Sequence, residues 1–188
     1  MKKVFLDCGA NKGQSVKRFQ RAEEYTKDFL MYSFEPVPFL VKQFKNKVHD
    51  VNVTLIEKAV WIYDGDIDFY FNKPCRKPEG STLIASRRKR RIEKKPHTVE
   101  CMDFSKWLSD NFNKTDYIVL KMDIEGAEYS VLEKMMEDET ISYINKAYIE
   151  FHYNVKKKIE TDRHQQLIDR LKNVSGLELL PEMSKVIA

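Results

Sequence analysis

The chain has few of the residues that build special-purpose frameworks. Its three cysteines, Cys8, Cys75 and Cys101, are odd in number and form no Cys-x-x-Cys pair. That excludes a disulfide framework and a zinc ribbon, and predicts free thiols in a reducing compartment. Long apolar runs are missing too. None approaches the ~20 residues of a membrane helix, and Met1-Lys2-Lys3 runs straight into Val4-Phe5-Leu6 rather than into the apolar core of a signal peptide. The expectation is a soluble, cytoplasmic protein. Six glycines and six prolines in 188 residues leave little room for linkers, and no repeat is visible.

A 42% hydrophobic and 33% charged composition is that of a globular chain. The length suits one well-buried core, so residues 1–188 read as a single domain. Charge is unevenly spread. Between Lys73 and Lys95 stand ten Lys/Arg and two Glu, a net +8 in a chain whose total is +4, so the remainder is acidic. This basic stretch, about 73–96, holds Pro74, Pro78, Gly80 and Pro96 and reads as a loop insertion.

The chain is organised around Val4–Gly13, where an apolar strand runs into Asp7, Gly9 and Gly13 and then into helix-compatible residues. A strand, a tight turn and a helix start at this point make a cofactor cradle. The pattern Gly9-x-Asn11-x-Gly13 misses the Gly-x-Gly-x-x-Gly of nicotinamide sites. Further along, the apolar spacing predicts a helix over about 13–22 and a strand at Met31–Glu35 ended by Pro36. A helix over Pro36–Lys47, a strand over Val53–Trp61, an alternating strand over Asp66–Asn72 and a short strand at Val99–Met102 follow. Then come a helix from Ser105, the buried strand Tyr117–Asp123 with a helix after it, a strand at Ala147–His152 and an amphipathic helix over about Ile159–Asn173. Gly176–Leu180 and Ser184–Ile187 read as a closing hairpin across Pro181-Glu182. Alternating strands and helices predict an α/β fold with a doubly wound, mostly parallel sheet and a C-terminal antiparallel hairpin.

Three stretches then fall at the carboxyl ends of strands, where ligands of such sheets bind: Asp7–Gly13, Glu35-Pro36, and Lys121-Met122-Asp123-Ile124-Glu125-Gly126-Ala127-Glu128. With Glu57-Lys58-Ala59-Val60 and Gly65, Gly80-Ser81-Thr82-Leu83 and Ile149-Glu150-Phe151-His152, they form a set, in family order, that resembles the FkbM-type methyltransferases, a branch of the class I S-adenosylmethionine-dependent enzymes. The resemblance spans residues 4–152, and its most specific part is the 121–128 block. It implies the seven-stranded Rossmann-like sheet of class I methyltransferases, with S-adenosylmethionine as cofactor. Asp7, Gly9, Ala10, Asn11 and Gly13 would line its methionine part, with Asp7 near the amino group and Gln14 and Ser15 helping at the helix start. Glu35, followed by Pro36, would hold the ribose hydroxyls, since a carboxylate accepts two hydrogen bonds. Ala59 and Val60 would flank the adenine. Asn11 stands where class I enzymes commonly have a third glycine, as in the FkbM-type turn.

Methyl transfer to a hydroxyl needs a group to take the acceptor's proton. Asp123 and His152 end adjacent strands and are the candidates for base and orienting group, in either order, with Glu125, Glu128 and Glu150 behind them. Lys121 lies on the face of Asp123, as in the Lys-Asp pair of RNA ribose methyltransferases. Asp123 is also a plausible helix cap. Asp123, Glu150 and His152 together are a candidate set for Mg²⁺ or Mn²⁺, although imidazole suits these ions less than oxygen does.

The expected acceptor is a sugar or glycan-like small molecule. The run Arg87-Arg88-Lys89-Arg90-Arg91 with Lys94 and Lys95 is either a solvated loop, a lid over an anionic acceptor, or a nucleic-acid contact. The absence of aromatic rings from Ser81 to Lys95 weighs against reading single strands. An RNA or nucleotide methyltransferase and a non-catalytic cofactor-binding module are the alternatives.

Overall fold

The computed structural model describes residues 1–70, 95–153 and 157–187. Most of the basic insertion and the Gly80–Leu83 block therefore lie outside the described residues. Six strands form a wholly parallel sheet: β1 (Lys3–Cys8), β2 (Phe29–Phe34), β3 (Val53–Ile56), β7 (Tyr117–Met122), β8 (Lys146–Ile149) and β9 (Glu178–Leu180), in the order β3-β2-β1-β7-β8-β9. Three more, β4 (Ala59–Trp61), β5 (Gly65–Phe69) and β6 (His97–Asp103), form a second sheet in the order β4-β6-β5. Six helices accompany them among the described residues: α1 (Gln14–Phe19), α2 (Pro38–Lys45), α3 (Phe104–Asn111), α4 (Glu128–Glu137), α5 (Lys158–Lys172) and α6 (Met183–Val186). None is long and apolar enough to cross a membrane.

The two-residue period of a strand sends β1 side chains to opposite faces. Phe5 packs with Val16 and Phe19 of α1, Phe44 of α2, Met31, Val119, Tyr148 and Met183. Val4 and Leu6 pack with Phe104 and Leu108 of α3, Leu132 and Met135 of α4, and Leu167 and Leu171 of α5. Helices on both faces bury both sides of the sheet, which is why its strands read as continuous apolar runs. Asp7 and Lys121 continue the parity of Phe5 and Val119, so both emerge on the α1 face.

The expected doubly wound sheet is there, with two corrections. The main sheet has six strands rather than seven, and the expected strand Val53–Trp61 divides at Glu57-Lys58: Val53–Ile56 pairs with β2, and Ala59–Trp61 pairs with β6 in the other sheet. Both halves have strand-forming residues, so local pattern cannot locate the crossing. The terminal hairpin is also absent. Glu178–Leu180 pairs parallel with β8, and Met183–Val186 is helical. A crossover through α5 returns the chain parallel to the strand it left, and Pro181 removes a ladder donor just after β9. Met183 then turns into the core, 3% exposed.

The turn after β1 carries the tightest close approach. Gly9 has φ +83°, and a Cβ there would stand 1.9 Å from the carbonyl oxygen of Asp123. Its missing side chain makes room for the neighbouring loop. Gly9→Ala should cost roughly 2–5 kcal/mol, from left-handed strain plus overpacking. Gly176→Ala, with φ +82° and open space around it, should cost only about 1 kcal/mol. Urea midpoints of the two variants check this, and equal losses would refute it.

Candidate functional site

The strand order reverses between β1 and β7: successive strands run outward from β1 on one side and from β7 on the other. In open sheets this is where ligands bind, beyond the carboxyl ends of the strands. Lys121, 8% exposed, occupies the junction. Its Nζ donates to the carbonyls of Gly9 (2.8 Å) and Cys8 (3.3 Å). It stands 3.3 Å from Asp7 Oδ1 and 3.6 Å from Asp123 Oδ2. Burial pulls the Lys121 ammonium down, but Asp7 and Asp123 outweigh it, and its pKa ends above the ordinary lysine value. Asp7 is fully buried, and burial raises its carboxyl despite Lys121.

Glu35 directly follows β2 and is 5% exposed. Its Oε2 accepts the N–H of Asn11 and its Oε1 that of Val37, both at 2.9 Å. Asn11 has φ 51°, a left-handed conformation that asparagine tolerates better than most residues, so it serves where another turn would use glycine. The carboxylate is thus held rigidly against the glycine turn with a lone pair left on each oxygen. Burial pushes it up to about 7, against the pull of the two N–H bonds.

The 121–128 block folds back on itself. Glu128, at the start of α4 and fully buried, accepts at Oε1 the N–H groups of Ile124 (2.9 Å) and Gly126 (3.1 Å). The same oxygen lies 2.9 Å from His152 Nδ1. That bond aims the other ring nitrogen outward, with Nε2 at 3.6 Å from Glu125, 3.6 Å from Glu150 and 3.9 Å from Asp123. Burial pulls His152 down, but the bond to Glu128 and the surrounding carboxylates raise it to about 9, so it is an imidazolium at neutral pH. The residues on either side of His152 anchor it. Tyr153 stacks on His164 of α5 at 4.1 Å, Phe151 meets the same ring edge-on at 5.0 Å, and His164 Nδ1 is 2.9 Å from the Tyr129 hydroxyl.

Beside these groups lies a cavity of ≈ 260 Å³. Gly9, Asn11, Ser15 and Arg18 line it on one side, Lys121, Met122 and Asp123 beneath, and Glu150 with Glu182–Ser184 on the other. Glu150 is pushed up to about 7 by burial and by its hydrogen bond with Glu182, whose own carboxyl is lowered by Ser184 and then by Glu150.

The family profile of the methyltransferase FkbM domain matches residues 7–175, nearly the whole chain. The chain belongs to the FkbM methyltransferase domain family. A crystal structure of methyltransferase FkbM from Methylobacillus flagellatus KT is similar in fold, with a TM-score of 0.54 at 13% identity. The match covers 89% of this chain but only 37% of that one, so the chain spans little more than a third of that protein's length. No curated protein sequence matches the chain.

In this FkbM domain Asp7, Gly9, Asn11, Lys121, Asp123, Glu125 and His152 gather at one rim. Glu35 stands behind the turn, and Ala10 is buried in the core below it. Gln14 and Ser15 line the cavity, Gly13 closes the turn with a hydrogen bond from its N–H to Ala10, and Pro36 is half-buried beyond Glu35. Val60 packs into the core with Phe34, while Ala59, of opposite parity, opens the second sheet. Asp123 caps no helix; Ala127 precedes α4. Lys121 is engaged on every side and acts as a clamp. Sequence reasoning missed Arg18 and also Glu182, taken as part of a turn. The i, i+3 spacing of Ser15 and Arg18 on one helix was the available signal for the first.

Donor atoms of Asp123, Glu128 and His152 lie within 4.8 Å of one another. Glu128 Oε1 accepts the N–H groups of Ile124 and Gly126 and faces His152 Nδ1, while its Oε2 is buried without a hydrogen-bond partner.

Because the folded His152 pKa is raised, its contribution to stability is complete below about pH 6.5 and lost as pH rises through about 9, up to about 3 kcal/mol in all. Glu128→Gln should bring the His152 pKa back toward its ordinary value. Histidine NMR titration checks this, and an unchanged pKa would refute the assignment of Glu128 as its main partner.

Proposed function

We propose that this FkbM domain is an S-adenosylmethionine-dependent O-methyltransferase acting on a hydroxyl of a sugar or glycan-like acceptor. The supporting observation is the joining of three groups at one strand-order switch: the Asp7–Gly13 turn, the buried Glu35 bonded into that turn, and the Asp123–His152 rim. The residues fit the donor. Glu35 keeps free lone pairs for two ribose hydroxyls, and the buried Asn11 Oδ1 has no hydrogen-bond partner. Ala59 and the loop before it stand near the end of β3 for the adenine, while Gly9, Asn11, Gln14 and Ser15 face the cavity for the remainder. When bound, the donor supplies a methyl group on an electrophilic sulfonium.

The chain's own residues do the rest. Asp123 takes the acceptor's hydroxyl proton; Lys121 near Oδ2 and His152 near Oδ1 fix its direction. A hydroxyl acidifies steeply as its oxygen gains a bond, so a carboxylate suffices as base. His152, protonated at neutral pH, donates rather than accepts, which supports Asp123 as the base. The acidic rim favours an uncharged, polyhydroxylated acceptor over RNA.

S-Adenosylhomocysteine should raise the melting temperature, and Glu35→Ala should remove most of that shift; no shift with the wild type would sink the reading. The kcat/KM of methyl transfer to a responsive sugar should rise with pH through about 7 as Glu35 ionises and fall through about 9 as His152 loses its proton. A rise through pH 9 would instead make His152 the base.

A further inference from the structure

We propose that the cavity between α1 and Glu182–Ser184 holds the zwitterionic amino-acid end of the methyl donor, with Arg18 taking its carboxylate and the Glu150–Glu182 pair its ammonium. The inference rests on the methyl-donor reading and assigns that end of the ligand to side chains outside the glycine turn.

The cavity's walls are of opposite sign. Arg18 lines one side and forms no ion pair among the described residues, while Glu150 and Glu182 line the other. The second cation on the lining, Lys121, is already neutralised by Asp7 and Asp123 and spent on two carbonyls. Asp7 is fully buried and does not line the cavity. Arg18 is therefore the cation left for a carboxylate, and a guanidinium is the side chain best shaped to grip one through two bonds. Ser15, one turn earlier on α1, adds a hydroxyl to the same wall. Asn11 Oδ1, buried and without a partner on another lining residue, is a further acceptor for an ammonium. Between the two walls Met183 gives an apolar contact that suits methylene groups. The volume of ≈ 260 Å³ falls below the ~300 Å³ lower end of pockets for whole drug-sized ligands, which fits one end of a ligand rather than all of it.

The test compares two ligands that share a nucleoside thioether and differ at this end: S-adenosylhomocysteine, which carries the amino acid, and 5′-methylthioadenosine, which does not. Calorimetric titration of wild type, Arg18→Met and Glu182→Gln should show S-adenosylhomocysteine binding weakened about tenfold or more by Arg18→Met, the loss of one charge-assisted contact, and less by Glu182→Gln. Binding of 5′-methylthioadenosine should stay within about twofold in both variants, which also shows that they remain folded. Arg18→Lys should recover part of the loss. Equal weakening of both ligands, or none of either, overturns the assignment of Arg18 while leaving the methyl-donor reading standing. A wild type that binds neither ligand overturns both.

Discussion

One buried ammonium holds the site together. Lys121 reaches across from β7 to the end of β1, bonds the carbonyls of Cys8 and Gly9, and lies between the carboxylates of Asp7 and Asp123. Each of these groups would be costly to bury alone, because a charge or carbonyl removed from water needs a partner. Together they offset one another's charge. The two strands whose ends form the switch are thus tied at their tips as well as by their ladder, and the loop leaving each strand starts from a fixed point.

From that fixed point two further carboxylates act through what they accept. Glu35 orders the turn by taking N–H groups from both of its flanks, and Glu128 orders the 124–128 loop in the same way before it reaches His152. Each supplies an acceptor that a loop cannot provide for itself. The cost appears in protonation. Burial raises Glu35 to about 7, and the bond to Glu128 with the surrounding carboxylates raises His152 to about 9, so the site changes charge at neutrality and again above it.

Much of this was legible in the sequence because it is local. The glycine turn after Val4–Leu6, the carboxylate ending Met31–Glu35 and the 121–128 block each announce themselves within ten residues, and the parallel order of their strands follows from the intervening helices. What was not legible depends on partners far along the chain. Nothing near Arg18 indicates that residues 182–184 close over it, and nothing near Glu128 shows that its oxygen waits for His152, 24 residues on. The division of Val53–Trp61 between two sheets and the helical turn at Met183 are likewise settled by edges and crossovers that local pattern does not encode. Lys121 was read as reactive for the same reason: its two carbonyl partners are 112 and 113 residues away.

The contact between Gly9 and the carbonyl of Asp123 has a consequence for how such a site changes over time. A side chain at position 9 has nowhere to go unless the 123–126 loop moves first, and that loop is fastened by Glu128 and by the N–H of Asp123 on Cys8. Neither loop is free to drift alone. The turn that would face the donor and the loop that would face the acceptor are therefore inherited as one piece.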